Sequence, residues 1–98
     1  MNALAHNNDR GSYLTDGDLA KLANARTLGA AEISATERRI AAESTRYNST
    51  ARRLRAYEVR ATLLLDASTR AGFSASVRRG FAARAERILD SAERLAKA

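Results

Sequence analysis

The sequence predicts an all-α protein, and three observations support that fold class. Apolar side chains recur at helical spacing, as in the seven-residue steps from Ile33 to Ile40 and from Ile40 to Tyr47. Proline is absent, so no proline ring interrupts a helical backbone. No segment alternates apolar and polar residues as a half-buried strand does. A length of 98 residues allows one domain, and we expect residues 1–98 to form a single small helical unit.

The chain is expected to begin with a tail and turn over residues 1–14, followed by a short capped helix. The tail has no periodicity and is rich in polar residues and glycine, which is typical of a turn. Thr15 is followed three residues later by an aspartate, the spacing of a capping box, and Asp16 also opposes the positive end of the helix dipole. This helix is predicted to begin near Asp16 and to reach Leu28, where Gly29 permits a bend or a stop.

Residues 15–71 are interpreted as this helical arm followed by a long central helix. The stretch from Ala30 to Ala71 contains neither glycine nor proline. Its apolar stripe consists of Ile33, Ile40, Tyr47, Leu54 and Ala61, extended by Leu64 and Leu65. One long helix and two collinear helices both fit this pattern. The weak helix formers of residues 44–50 make that segment the best place for an interior break.

Residues 72–98 are predicted to form a C-terminal amphipathic helix. Gly72 ends the preceding segment, and Ser74 is a candidate N-cap. One face carries the apolar residues, namely Val77, Phe81, Ala85, Ile88, Ala92 and Leu95. The other faces carry Arg78, Arg79, Arg84, Arg87 and Arg94.

Composition argues against catalysis, metal binding and membrane insertion. The chain has no cysteine and one histidine, which excludes a thiol nucleophile, a zinc knuckle and a histidine cluster. Capping explains Asp16 and Asp18, and no glycine-rich phosphate loop is present. No apolar run approaches the ~18 residues of a membrane span, and the N-terminus lacks the regions of a signal peptide. We therefore expect no catalytic residue, no metal, no cofactor and a cytoplasmic location.

The charge distribution predicts an acidic partner. Residues 38–98 hold 14 basic and 6 acidic residues, and 15 of the 17 basic residues in the chain are arginine. Nucleic acid and an acidic protein surface both fit, although a GC-rich genome would also favour arginine and alanine. Glutamates interleaved with the arginines at helical spacing favour a solvated or protein-facing helix surface. Five dispersed aromatic residues are too few for a base-stacking platform.

One stretch of the sequence resembles a known family. Residues 13–22 read Tyr-Leu-Thr-Asp-Gly-Asp-Leu-Ala-Lys-Leu, preceded by Asp9 and followed by Gly29 and Ile33. This order and spacing resemble the start of a phycobiliprotein subunit, nearest to the allophycocyanin type. In that family a polar segment with an aspartate precedes an aromatic-Leu-Ser/Thr turn and a helix start, and a glycine opens the second helix. The resemblance covers roughly residues 7–40.

A second stretch is similar to the family's helix that follows the chromophore-bearing cysteine. It consists of Arg53, Tyr57 and the Val59-Arg60 pair. In this alignment Ala51 stands at the attachment position and Leu54 replaces the carboxylate that holds the pigment. The resemblance therefore implies that this chain binds no bilin.

The resemblance implies a colourless structural or linker protein of the phycobilisome light-harvesting antenna. The expected partners are phycobiliprotein subunits and other antenna proteins, at the cytoplasmic face of photosynthetic membranes. The alternative is a small basic helical nucleic-acid-binding or assembly protein. The residues predicted to bind a partner are Asp9, Tyr13, Leu14, Leu19, Leu22, Leu28, Ile33, Arg52, Arg53, Arg55, Tyr57, Arg78 and Arg79.

Overall fold

The computed structural model describes residues 28–98, which form three α-helices. Helix α1 spans Ala30–Ser44, α2 spans Thr50–Ser68 and α3 spans Ala75–Lys97. Residues 28–98 contain no strand, and the predicted all-α fold class is confirmed. The tail, turn and short capped helix predicted for the N-terminal part lie outside the described residues. No helix within the described part of the chain is long and apolar enough to cross a membrane.

The predicted interior break is present, and the two helices that flank it pack against each other. At the end of α1 the Ser44 and Thr45 hydroxyls donate to the carbonyls three residues earlier, each at 2.8 Å. Ser49 then caps α2 by accepting from the Arg52 N–H at 3.3 Å. Arg70, just beyond α2, donates to the Leu28 carbonyl before α1. The two helices are therefore antiparallel, and the expectation that they could be collinear is wrong.

Helix α2 ends before the glycine that was predicted to end it. Its last residue is Ser68, where the Ser68 and Thr69 hydroxyls donate to the Leu65 and Asp66 carbonyls. Gly72 lies in the following turn and does not adopt a positive φ. The Ser74 hydroxyl accepts from the Val77 N–H at 3.2 Å, which confirms the predicted N-cap of α3.

Helix α3 runs back along α2 and meets α1 through side chains. Phe73 and Phe81 pack at the end where Arg70 meets Leu28, with ring centroids 5.9 Å apart. At the opposite end, the last turn of α3 shares a cavity with the end of α1 and the start of α2. Helix α3 is thus antiparallel to α2 and parallel to α1. The packing between α2 and α3 is more extensive than that between α1 and α2.

The core consists of two adjoining apolar clusters. The larger joins all three helices and contains Ile33, Ala61, Leu63, Leu64, Ala67, Phe81, Ala85 and Ile88. The smaller lies near the α1–α2 turn and contains Ile40, Tyr47, Ala56 and Val59. Most of the apolar residues predicted to share one helix face are buried or half-buried. Leu65 and Val77 are exceptions at 42% and 37% exposed.

Candidate functional site

A buried carboxylate binds two arginines at the centre of the bundle. Glu37 of α1 is 3% exposed. Its Oε2 accepts from the Arg60 Nε of α2 at 2.7 Å, and its Oε1 accepts from an Arg84 Nη of α3. The Arg60 and Arg84 side chains are 16% and 30% exposed. One side chain from each helix therefore meets in a single charged cluster.

The local sequence explains why this carboxylate points inward. Ile33 and Ile40 are fully buried, and Glu37 lies four residues after the first and three before the second. These spacings place all three side chains on one helix face. The expectation that the interleaved glutamates lie on a solvated face is therefore wrong for Glu37. It holds for the exposed pair between Arg55 and Glu58.

A cavity of about 310 Å³ adjoins this cluster. Tyr57 of α2 and Arg87, Ile88 and Ser91 of α3 line it together with the three charged residues of the cluster. The Arg60 guanidinium lies over the Tyr57 ring, 5.4 Å from its centroid. The lining is thus mainly cationic and hydroxyl-bearing, which suits an anion.

The arginines at the start of α2 that were predicted to bind a partner make several contacts within the chain. Arg52 lies over the buried Tyr47 ring, with its guanidinium carbon 4.5 Å from the centroid. The Arg53 Nε donates to the Tyr47 carbonyl at 2.8 Å, which ties the start of α2 to the turn. Arg55 pairs with Glu58 on the surface. All three keep a part of their surface in solvent.

The two arginines at the start of α3 that were predicted to bind a partner have no such contacts among the described residues. Arg78 and Arg79 lie within the first two turns of the helix, where the dipole disfavours a cation. No acidic residue occupies that first turn. Among residues 28–98 the structure shows no hydrogen bond or ion pair to either guanidinium, whereas Arg70 and Arg84 bind carboxylates.

The remaining predicted site residues divide into two groups. Ile33 is fully buried in the chain's own core, and Leu28 packs against the same cluster, so Ile33 offers no surface to a second molecule. Tyr57 is half-buried beside the cationic cavity. The others lie outside the described residues, namely Asp9, Tyr13, Leu14, Leu19 and Leu22.

A second, apolar groove lies between α1 and α3. It has a volume of about 510 Å³ and is lined by Ala30, Ala31, Ser34, Val77, Gly80, Phe81, Ala83, Arg84 and Arg87. The small side chains of both helices leave this space open, and a Cβ built on Gly80 would meet nothing within 4 Å. Arg84 and Arg87 separate this groove from the cationic cavity, since both residues line the two depressions.

Sequence reasoning missed Glu37, Arg60, Arg84 and Arg87 as site residues. The spacing of Glu37 relative to Ile33 and Ile40 was the available signal, because a carboxylate on an apolar face needs a cationic partner. Nothing in the sequence shows which arginines supply it. Within the described part of the chain, no group of three or more potential ligand residues could hold a metal ion.

This arrangement can bind anions at two places: at the guanidinium groups of the open cavity, and at the half-buried Arg78 and exposed Arg79 at the start of α3. Comparison with known proteins adds no relative to this description: the chain matches no protein-family model, no curated protein and no solved structure.

Proposed function

We propose that this protein is a non-catalytic docking protein that binds an acidic protein surface through the arginines of α2 and α3. Arg78 and Arg79 carry this proposal. They place two positive charges near the positive end of a helix dipole, with no partner among residues 28–98. The helix dipole disfavours that placement, whereas an acidic partner would pair with both side chains.

The distribution of charge over the helices supports the same function. Helix α1 carries two arginines and three glutamates, whereas α3 carries six basic and three acidic residues. Positive charge is therefore concentrated away from α1. An acidic partner would be attracted to the α2 and α3 side of the bundle, and its association would weaken as salt increases.

The resemblance of residues 7–40 to phycobiliproteins suggests which partner this is. On that basis the protein is a linker of the phycobilisome antenna that joins acidic pigment subunits and carries no bilin itself. Its place would then be the cytoplasmic face of photosynthetic membranes. The alternative function, binding to nucleic acid, would use the same two arginines, and the experiment described below distinguishes the two functions.

The test compares two matched double variants of the full chain. Arg78→Glu with Arg79→Glu reverses the charge at the start of α3, and Arg38→Glu with Arg39→Glu makes the same charge change on α1. Binding to purified allophycocyanin and to duplex DNA is measured at ~0.15 M salt, where the Debye length is about 8 Å. We expect the α3 variant to lose allophycocyanin binding and the α1 variant to retain most of it.

Two results would contradict this function. If both variants bind allophycocyanin as well as the unmodified chain does, the arginines at the start of α3 are not the docking surface. If the unmodified chain binds DNA at micromolar concentration or tighter and does not bind allophycocyanin, the nucleic-acid function replaces the antenna function. A complex of that affinity would be tighter than ordinary non-specific DNA binding at this salt.

A further inference from the structure

The cavity beside Glu37 has an excess of positive charge. Three guanidinium groups line it, from Arg60, Arg84 and Arg87. Glu37 is the sole acidic residue among its described lining residues, so these four side chains carry a net charge of +2. Cations held together in a partly enclosed space repel one another, and a bound anion removes that repulsion.

Hydrogen-bond donors also remain available there. A guanidinium group has five N–H donors, and Glu37 accepts one from Arg60 and one from Arg84. The structure shows no acceptor for Arg87 among residues 28–98. Ser91 accepts from the Arg94 Nη2 at 3.2 Å and keeps its own hydroxyl proton to donate.

Helical spacing brings these donors together. Arg84 and Arg87 are three residues apart on α3, and Ser91 follows Arg87 by four, so the three side chains lie along one face. We propose that this cavity binds one carboxylate of an acidic side chain of the partner, held by Arg84 and Arg87. The proposal rests on the proposed function and names the contact that would give it specificity.

The surroundings favour a protein carboxylate over a nucleic-acid phosphate. Glu86 and Asp90 are both exposed and flank Arg87 in the sequence, at one and three residues. A nucleic-acid backbone carries a charge at every nucleotide, so the phosphates next to one held in the cavity would face Glu86 and Asp90 and be repelled. A single side chain entering a cavity of about 310 Å³ avoids this repulsion.

The test follows the arginine Nε–H resonances of the full chain by NMR. The probe is an acetylated, amidated tetraglutamate peptide, with tetraglutamine as the uncharged comparison and inorganic phosphate as the competing oxyanion. We expect tetraglutamate to shift the Arg84 and Arg87 resonances in a saturable manner and tetraglutamine to leave them in place.

Two variants make the assignment specific. Arg87→Gln should weaken tetraglutamate binding about tenfold, the loss expected for a hydrogen bond to a charged group. Arg38→Gln removes an exposed arginine of α1 that does not line the cavity and should change the affinity less than about twofold, since exposed charge pairs contribute little. Backbone amide spectra of both variants check that the fold is retained.

The possible failures are distinguishable. Equal weakening by the two variants would show general charge attraction and would overturn the cavity proposal while leaving the docking function standing. Tighter binding of inorganic phosphate than of tetraglutamate would assign the cavity to phosphate and overturn the carboxylate assignment. Absence of any tetraglutamate binding, together with absence of allophycocyanin binding, would overturn both proposals.

Discussion

Glu37 shows how one residue can join three helices. Burial of a carboxylate is unfavourable unless hydrogen bonds and opposite charges offset the lost hydration. Each oxygen of Glu37 has its own guanidinium donor, and both arginines retain some contact with solvent. The arginines therefore pay a smaller desolvation penalty than the carboxylate they bind. The two arginines also fix the relative positions of the helices, because a displaced helix would leave the Glu37 carboxylate without one of its partners.

Replacement of Glu37 tests this role at the residue scale. Glu37→Gln keeps the shape of the side chain and removes its charge, leaving Arg60 and Arg84 without a counterion. We expect the free energy of unfolding to fall by about 2–3 kcal/mol, somewhat less than for a fully buried pair, because both arginines can reach water. Urea denaturation followed by circular dichroism measures the change.

The surface pair between Arg55 and Glu58 supplies the control for that measurement. Glu58→Gln removes a carboxylate that is 66% exposed, and we expect a change below about 1 kcal/mol. If Glu37→Gln were no more destabilising than Glu58→Gln, the buried cluster would have no special part in holding the helices together.

At the scale of an element, α3 contains an internal weakness. Gly80 lies within the helix, where glycine costs about 1 kcal/mol relative to alanine. A Cβ at this position would meet no atom within 4 Å and the backbone φ is not positive, so no steric need for glycine is apparent. Its effect is to widen the groove between α1 and α3.

Gly80→Ala should therefore stabilise the protein. We expect an increase of about 0.5–1 kcal/mol in the free energy of unfolding, since alanine restricts the unfolded chain and favours the helix. Chemical denaturation with a two-state fit gives the value. A destabilised variant would instead show that α1 and α3 approach more closely in solution than the open groove allows.

The ends of the elements were more predictable than their arrangement. The N-cap at Ser74 and the break near residues 44–50 follow from local chemistry, which a single sequence displays directly. The antiparallel packing of α1 on α2 depends on contacts such as those of Arg60 and Arg70, whose partners lie 23 and 42 residues away. Spacing within one helix does not specify such partners.

The candidate site, too, has one part that the local sequence predicts and one part that depends on how the helices pack. Arg78 and Arg79 were identified from charge alone, and the structure adds that they lack partners within residues 28–98. The cavity beside Glu37 could not be predicted, because it requires the relative positions of α2 and α3. Ile33, one of the residues predicted to bind a partner, lies in the core, since the apolar character that suggested docking also favours burial within the chain.

At the scale of the molecule, the core is small. Twelve apolar residues are buried in the described part of the chain, and four of them are alanines: Ala56, Ala61, Ala67 and Ala85. Alanine lets helices approach closely but buries little apolar area. We expect a modest free energy of unfolding for a chain of this size.

Thermal unfolding tests this expectation. The purified full chain should unfold in one cooperative transition below about 65 °C, within the range of mesophilic domains. Cooperativity is expected because the larger apolar cluster and the Glu37 pairs each involve all three helices. Two separated transitions in calorimetry, or a Tm well above this range, would contradict this description of the core.

The parallel orientation of α1 and α3 has a geometric consequence. Leu28 precedes α1 at one end of the bundle, and Ala98 follows α3 at the other. Twenty-three residues of helix separate these ends by about 35 Å, at a rise of 1.5 Å per residue. A dye attached at Leu28 and another attached at Ala98 would lie about this far apart. Energy transfer between the two dyes would measure this separation and so test the parallel orientation of α1 and α3.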